Sequence, residues 1–379
     1  MALAVLVSLL STAAFDDSKP LQTAEARQIA DQQDVLALGA QSGAVDSPER
    51  RRALSKAGLG TWIEDASVGA TKSWKSVAMS ADGTKQTAAE GNFNTPGNLW
   101  TSTDSGATWT EDTSVGDAKT WLSVAMSADG TKQTAAINGG NLWMSTDSGA
   151  TWTEDASVGA AKYWGSVAMS ADGTKQTAAI DGGNLWTSTD SGATWTEDAS
   201  VGTTKIWKSV AMSADGTKQT AAVSNGNLWL STDFGATWTR DASVGATKVW
   251  ASVAMSADGT KQTAAIGGPG GYLWTSTDSG ATWTENSSVG AAKAWKSVAM
   301  SADGTKHTAA IGGPYGSGNL WTSTDSGATW TEDTSVGAMK GWQSVAMSAD
   351  GAQQTAAADF LWINNIPPPP PPPPAAPPP

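Results

Sequence analysis

The chain has 379 residues, with 21 Trp, one His, no Cys and a formal net charge of −13. The lack of cysteine excludes a disulfide framework, a thiolate metal site and a cysteine nucleophile, and a single histidine, His307, excludes a multi-histidine metal centre and leaves a Ser-His-Asp triad unsupported. Between Gly58 and Ile366 there are 29 acids against 17 bases, an acidic surface that repels phosphate backbones, so no nucleic acid partner is expected.

Residues 1–14 carry an apolar run, Ala2 to Leu10, followed by the small residues Ser11 to Ala14. The run is too short to span a bilayer and reads as a signal-peptide core before a small-residue cleavage site. It has no Lys or Arg beside Met1. The expected destination is secretion or an organelle lumen, with a cytoplasmic chain as the alternative. Residues 15–59 form a polar flank with weak helical character over Leu21 to Leu38. A short helix is expected from Ser47 (N-cap) and Pro48 (first turn) to a stop at Gly58. The basic cluster Arg50 to Arg52 reads as its solvated face.

Residues 60–366 are repetitive. The motif W-x-S-V-A-M-S-A-D-G places Trp at 74, 121, 164, 207, 250, 295 and 342, at spacings of 47, 43, 43, 43, 45 and 47. T-W-x-x-[DN] places a second Trp at 62, 109, 152, 195, 238, 283 and 330, and an L-W pair a third at 100, 143, 186, 229, 274, 321 and 362. Three in each of seven units account for all 21. The period matches a four-stranded propeller blade and exceeds leucine-rich or ankyrin units. Within one unit, strand A is predicted over Trp164 to Ser170, strand B over Lys175 to Ile180, strand C over Asn184 to Thr189 and strand D over Ala193 to Glu197. Tight-turn signals stand at Asp172-Gly173 and Asp190-Ser191-Gly192, and a Gly-rich loop at Asp181 to Gly183.

The phase decides the architecture. The region opens on a lone strand D, Gly60 to Asp65, and closes on strands A, B and C of a unit lacking D, Trp342 to Asn364. An open array would leave an orphan strand and a bare edge; a ring removes both. The expected fold is all-β: a seven-bladed β-propeller of four-stranded antiparallel blades, closed by the N-terminal strand completing the last blade. Six complete blades with frayed flanks are the alternative. Residues 367–379 are almost all proline and predict an extended polyproline II rod, a spacer or a contact for another module.

The segment S-x-D-x-G-x-T-W resembles the Asp-box, or BNR repeat, of sialidase-like propellers. It occurs six times in phase, with its aspartates at Asp104, Asp147, Asp190, Asp233, Asp278 and Asp325. Similar repeats occur in sortilin, in xyloglucanase-like proteins and in the propeller-type photosystem II assembly factor. In the box, Asp is expected to accept N–H groups of its own turn, Gly to supply a positive φ, and Trp to pack between blades, a structural role. The resemblance implies, for sialidases, three arginines on the substrate carboxylate, a Tyr nucleophile with Glu, and an Asp acid/base. The repeat region holds one arginine, Arg240, so sialidase activity is not expected. The basic patch of the photosystem II factor is likewise missing. The Asp-Gly turns lack the D-x-D-x-D spacing of a calcium loop, so no metal and no cofactor are expected.

Seven internal copies can be compared with one another. The A–B turns (SADGTK) and C–D turns barely change, Phe234 for Ser being the clearest exception. The B–C loops vary in length and content: EGNFNTPG at 90–97, NGG at 138–140, DGG at 181–183, SNG at 224–226, GGPGG at 267–271 and GGPYGSG at 312–318. The residue before the strand-A Trp varies too. In an up-and-down blade these variable segments share one face. Carboxylates, amides and aromatics there suit a glycan or a protein ligand, with Glu90, Asn92, Asn94, Asp117, Tyr163, Asp181, Tyr272 and Tyr315 as candidate binding residues. The expected function is a monomeric, non-catalytic binding module. An interaction or assembly scaffold is the second reading, and a propeller-type glycoside hydrolase using two of Glu90, Asp117 and Asp181 the third.

Overall fold

The computed structural model describes residues 62–92, 94–312 and 316–365. The leader, the helical N-terminal flank, the polyproline tail and Tyr315 lie outside the described residues. Every regular element described is a β-strand, 28 in all, and every pairing is antiparallel. The four-strand rhythm repeats seven times once Ile63–Glu64 is counted with the last unit. That strand pairs with Leu361–Asn365, setting Ile63 opposite Ile363 and Glu64 opposite Trp362.

Observed strands depart from the expected bounds in an instructive way. In the third unit, strand A runs Lys162–Met169, strand B Gln176–Gly183, strand C Leu185–Ser188 and strand D only Thr196–Asp198. Strand B thus continues through what reads as a Gly-rich loop. Its end pairs with the start of the next unit's strand A, Asp181 with Ile206 and Gly183 with Lys205. The tripeptide loops NGG, DGG and SNG allow this pairing, each with a bulge-like register shift within the loop. The longer loops allow only single bridges, Gly97 to Lys119, Gly271 to Lys293 and Gly318 to Lys340. Four units therefore merge into a 16-stranded sheet beside three four-stranded sheets; among the described residues no sheet closes on itself.

Packing follows from side-chain size. The strand-A Trp is at most 1% exposed in every unit, and the Leu of strand C is equally hidden. Between them strand B contributes Thr-Ala-Ala, small enough for sheets to approach. Each strand-A Trp meets the strand-C Trp of its own unit edge-on, as in Trp164–Trp186 at 6.3 Å between ring centroids. A lysine ammonium sits over each strand-C indole, from Lys72 over Trp100 at 4.6 Å to Lys340 over Trp362 at 4.9 Å.

Three hydrogen-bond series link each unit to the next, and each returns to its start. The N–H of Val on strand A lacks a ladder partner on its inner edge, and takes the Ser hydroxyl of the preceding unit instead. Val124 donates to Ser76 at 3.1 Å, and Val77 donates to Ser344 at 3.2 Å. In strand B the Thr hydroxyl donates to the next unit's Gln, as from Thr177 to Gln219 at 2.6 Å, and Thr355 donates to Gln86. In the A–B turns one alanine N–H donates to the next alanine carbonyl, from Ala81 to Ala128 onward, until Ala349 donates to Ala81. Buried polar groups need such partners, since an unmade bond costs about 1–3 kcal/mol.

His307 stands where the other units have Gln, and the structure shows why it is tolerated. Its Nε2 lies 3.0 Å from the Gly304 carbonyl and its Nδ1 3.0 Å from the Thr263 hydroxyl. A neutral ring protonated on Nε2 reproduces the donor and acceptor of the glutamine it replaces. Burial lowers its pKa, with the nearby Lys261 charge also disfavouring protonation.

Candidate functional site

The two sides of the repeat array differ in how much they leave free. On one side, the A–B and C–D turns are closed networks. In the turn at Asp190, the carboxylate accepts from the Thr194 N–H at 2.9 Å, the Thr194 hydroxyl at 2.6 Å and the Ser188 hydroxyl at 2.8 Å. The Thr194 hydroxyl, then its N–H, then Ser188 hold the Asp190 pKa down to about 2. Asp172 of the A–B turn is lowered to about 2 likewise, chiefly by Ser170 and the Thr174 N–H. The turn needs two successive positive φ values, Ser191 at 64° and Gly192 at 87°. Gly was expected there; the serine was not.

On the other side lie the B–C loops and D–A connections, and here the expected binding residues meet different fates. Glu90 replaces an aliphatic residue of the other units. It accepts from Trp100 Nε1 at 3.1 Å and pairs with Lys72 at 3.3 Å, its side chain only 15% exposed. Asn92 is spent on its own hairpin, donating to Ser73 and accepting from the N–H groups of Asn94 and Thr95. Asn94 and Asp117 are exposed, and Tyr272 is half-buried against the core. Tyr163 is 59% exposed and, with Asp181, lines a small cavity of about 160 Å³. Of the expected set, the structure brings together Tyr163 and Asp181.

Asp181 also opens onto a larger cavity of about 370 Å³. Its wall includes the residue that follows the strand-A Trp in six of the seven units: Lys75, Leu122, Gly165, Lys208, Ala251 and Lys296. One cavity touches so many strands because the A strands neighbour one another in succession, the last beside the first. Asp181 pairs with Lys208 at 2.6 Å. Among the described residues no carboxylate lies within ion-pair distance of Lys75 or Lys296. Desolvation lowers the pKa of both, and for Lys296 the charges of Lys75 and Lys208 add to it. Sequence reasoning missed these lysines. Their signal was the variable x of W-x-S-V-A-M, which reads K, L, G, K, A, K, Q along the chain.

Among the described residues, no group of three His, Cys, Asp or Glu could hold a metal ion. No protein-family model matches the chain, and no curated protein matches it. Solved structures do resemble it. YCF48 from Cyanidioschyzon merolae superposes with a TM-score of 0.60 at 16% identity, over 80% of this chain and 98% of that one. YCF48 bound to a D1 peptide gives 0.60 at 15% identity, over 80% and 96%. The GH74 xyloglucanase from Xanthomonas campestris gives 0.60 at 18% identity, over 80% of this chain but 53% of its own. The Swd1 β-propeller domain of Myceliophteria thermophila gives 0.56 at 12% identity. At these identities the likeness is one of fold. The chain is an all-β repeat protein with the fold of a β-propeller.

Proposed function

We propose that the chain is a seven-bladed Asp-box propeller, closed by its first strand, that works as a non-catalytic module binding a protein through the face of the B–C and D–A loops. Closure is supported by the Ile63–Glu64 pairing with Leu361–Asn365 and by three inter-unit hydrogen-bond series that return to their start. One observation carries the binding face: the turns on one side are near-identical and internally satisfied, while the other side holds the varied side chains and the cavity. A protein ligand fits better than a glycan. Sugars stack on open aromatic faces, and each strand-C indole already has a lysine over it. A hydrolytic reading needs two carboxylates facing one bond; Glu90 is held by Trp100 and Lys72, and Asp181 by Lys208. The solved likeness bound to a D1 peptide makes peptide capture a use this fold supports.

The test is retention of a binding partner on immobilised chain, run beside a glycan array. Tyr163→Ala, in the small cavity that shares Asp181 with the larger one, should abolish retention. Phe234→Ser, on the opposite turns and matching the residue of the other units, should preserve it. Defined sugar binding, or retention lost only in the Phe234 variant, would refute the assignment of ligand and face.

A further inference from the structure

The central cavity has a charge opposite to that of the protein around it. The chain carries −13, yet the cavity gathers three ammonium groups, Lys75, Lys208 and Lys296, with one carboxylate, Asp181. Units at the same position elsewhere use Leu122, Gly165, Ala251 and Gln343, so the fold does not require a cation there. Three lysines on separate strands line one space, and among the described residues only Lys208 has a carboxylate partner, so their charges oppose each other. That arrangement is costly unless an anion completes it.

We propose that this cavity binds a compact dianionic oxyanion group of the phosphate-monoester class. The charges balance: three ammonium groups and one carboxylate leave +2, and a phosphate monoester carries about −1.5 to −2 at neutral pH. The chemistry of the donors agrees. Lysines act as separate point charges and suit a tetrahedral group with acceptors in several directions, whereas planar carboxylates favour the arginine fork, and among the described residues no arginine lines the cavity. A volume of about 370 Å³ exceeds one phosphate, leaving room for a short carrier or bridging water. An anion seated there would relieve the mutual repulsion that, with burial, lowers the Lys296 pKa. The global acidity that repels a nucleic acid backbone does not oppose this, because the lysines are gathered in a recess. The proposal deepens the reading that this face carries the ligand, and rests on it.

The experiment is calorimetric titration of the full chain at low ionic strength with inorganic phosphate, a phosphoserine peptide, the same peptide unphosphorylated, and succinate. Wild type should bind phosphate or the phosphopeptide at one site. Tighter binding of the peptide places the group on a polypeptide, and tighter binding of the free ion places it on a small molecule; either supports the class. Lys296→Leu, which copies Leu122, should weaken binding at least tenfold while thermal unfolding stays unchanged or rises. Lys218→Gln, which copies Gln353 on the opposite turns, should bind as wild type does. Succinate or the unphosphorylated peptide binding as tightly as phosphate, no phosphate binding at millimolar concentration, or unaltered affinity in Lys296→Leu would overturn it. If phosphate fails while Tyr163→Ala still abolishes partner retention, this inference falls and the binding face stands. If phosphate binds as described and partner retention ignores Tyr163, the face and its anion site stand and the protein-ligand reading falls.

Discussion

The proposed closure by the first strand makes a quantitative demand on one residue near the start of the chain. Trp62 is 4% exposed, lies 6.4 Å from the Trp342 ring and donates from Nε1 to Asp333 at 3.0 Å. Trp62→Ala removes roughly 200 Å² of buried indole, up to ~5 kcal/mol at the usual area coefficient. Trp-to-Ala changes in cores cost about 3–5 kcal/mol. The lost Asp333 bond falls within that range, so a destabilisation of about 4 kcal/mol is expected. Trp195, 8% exposed in the middle of the chain, is the internal reference, and Trp195→Ala should cost about the same. Urea unfolding of both variants, followed by near-ultraviolet circular dichroism, reads the difference. With a slope of roughly 3 kcal/mol/M, each midpoint should fall by about 1 M. A loss under about 1 kcal/mol for Trp62→Ala, beside a full loss for Trp195→Ala, would show that the first strand does not hold the ring shut.

His307→Gln should match wild type in stability at neutral pH and exceed it in acid. The fold lowers the His307 pKa below that of the unfolded chain, so the unfolded state binds more protons as pH falls through about 6.5, and wild-type stability drops there. Parallel pH–stability curves for the two proteins would refute the assigned neutral ring. Gly149→Ala and Gly159→Ala separate backbone strain from inter-unit fit. Both have φ near 85°, but an added Cβ at Gly149 would lie 2.9 Å from the stiff Thr101 side chain, while Gly159 has open space. Thermal unfolding should show a loss of about 1–2 kcal/mol for Gly159→Ala, and about 1–3 kcal/mol more for Gly149→Ala. Equal losses would mean that this glycine serves only its turn.

Much of the fold was legible because Trp is rare and its three positions recur in phase, which sets the period and the strand order. Strand ends were less legible. Whether strand B stops at Ile180 or runs to Gly183 depends on a partner from the next unit, which no local propensity encodes. The same holds for Ser191, whose positive φ is imposed by the turn and its neighbours. Glu90 was misleading: a carboxylate in a variable loop reads as surface, but an indole N–H and a lysine beside it make it part of the packing. The lysine cavity was hidden for the opposite reason. Lys75, Lys208 and Lys296 lie far apart in sequence, and only the succession of A strands brings them to one space.

The three hydrogen-bond series have a consequence for how the chain could be rearranged. Every junction uses nearly the same donors and acceptors, so a junction does not encode which unit stands on either side. Exchanging two whole units would preserve the Ser–Val, Thr–Gln and Ala–Ala bonds while reshuffling the loops and the residues that line the cavity. Unit order is therefore recorded outside these bonds: in the strand pairings that the short loops permit between units, and in the lining of the cavity.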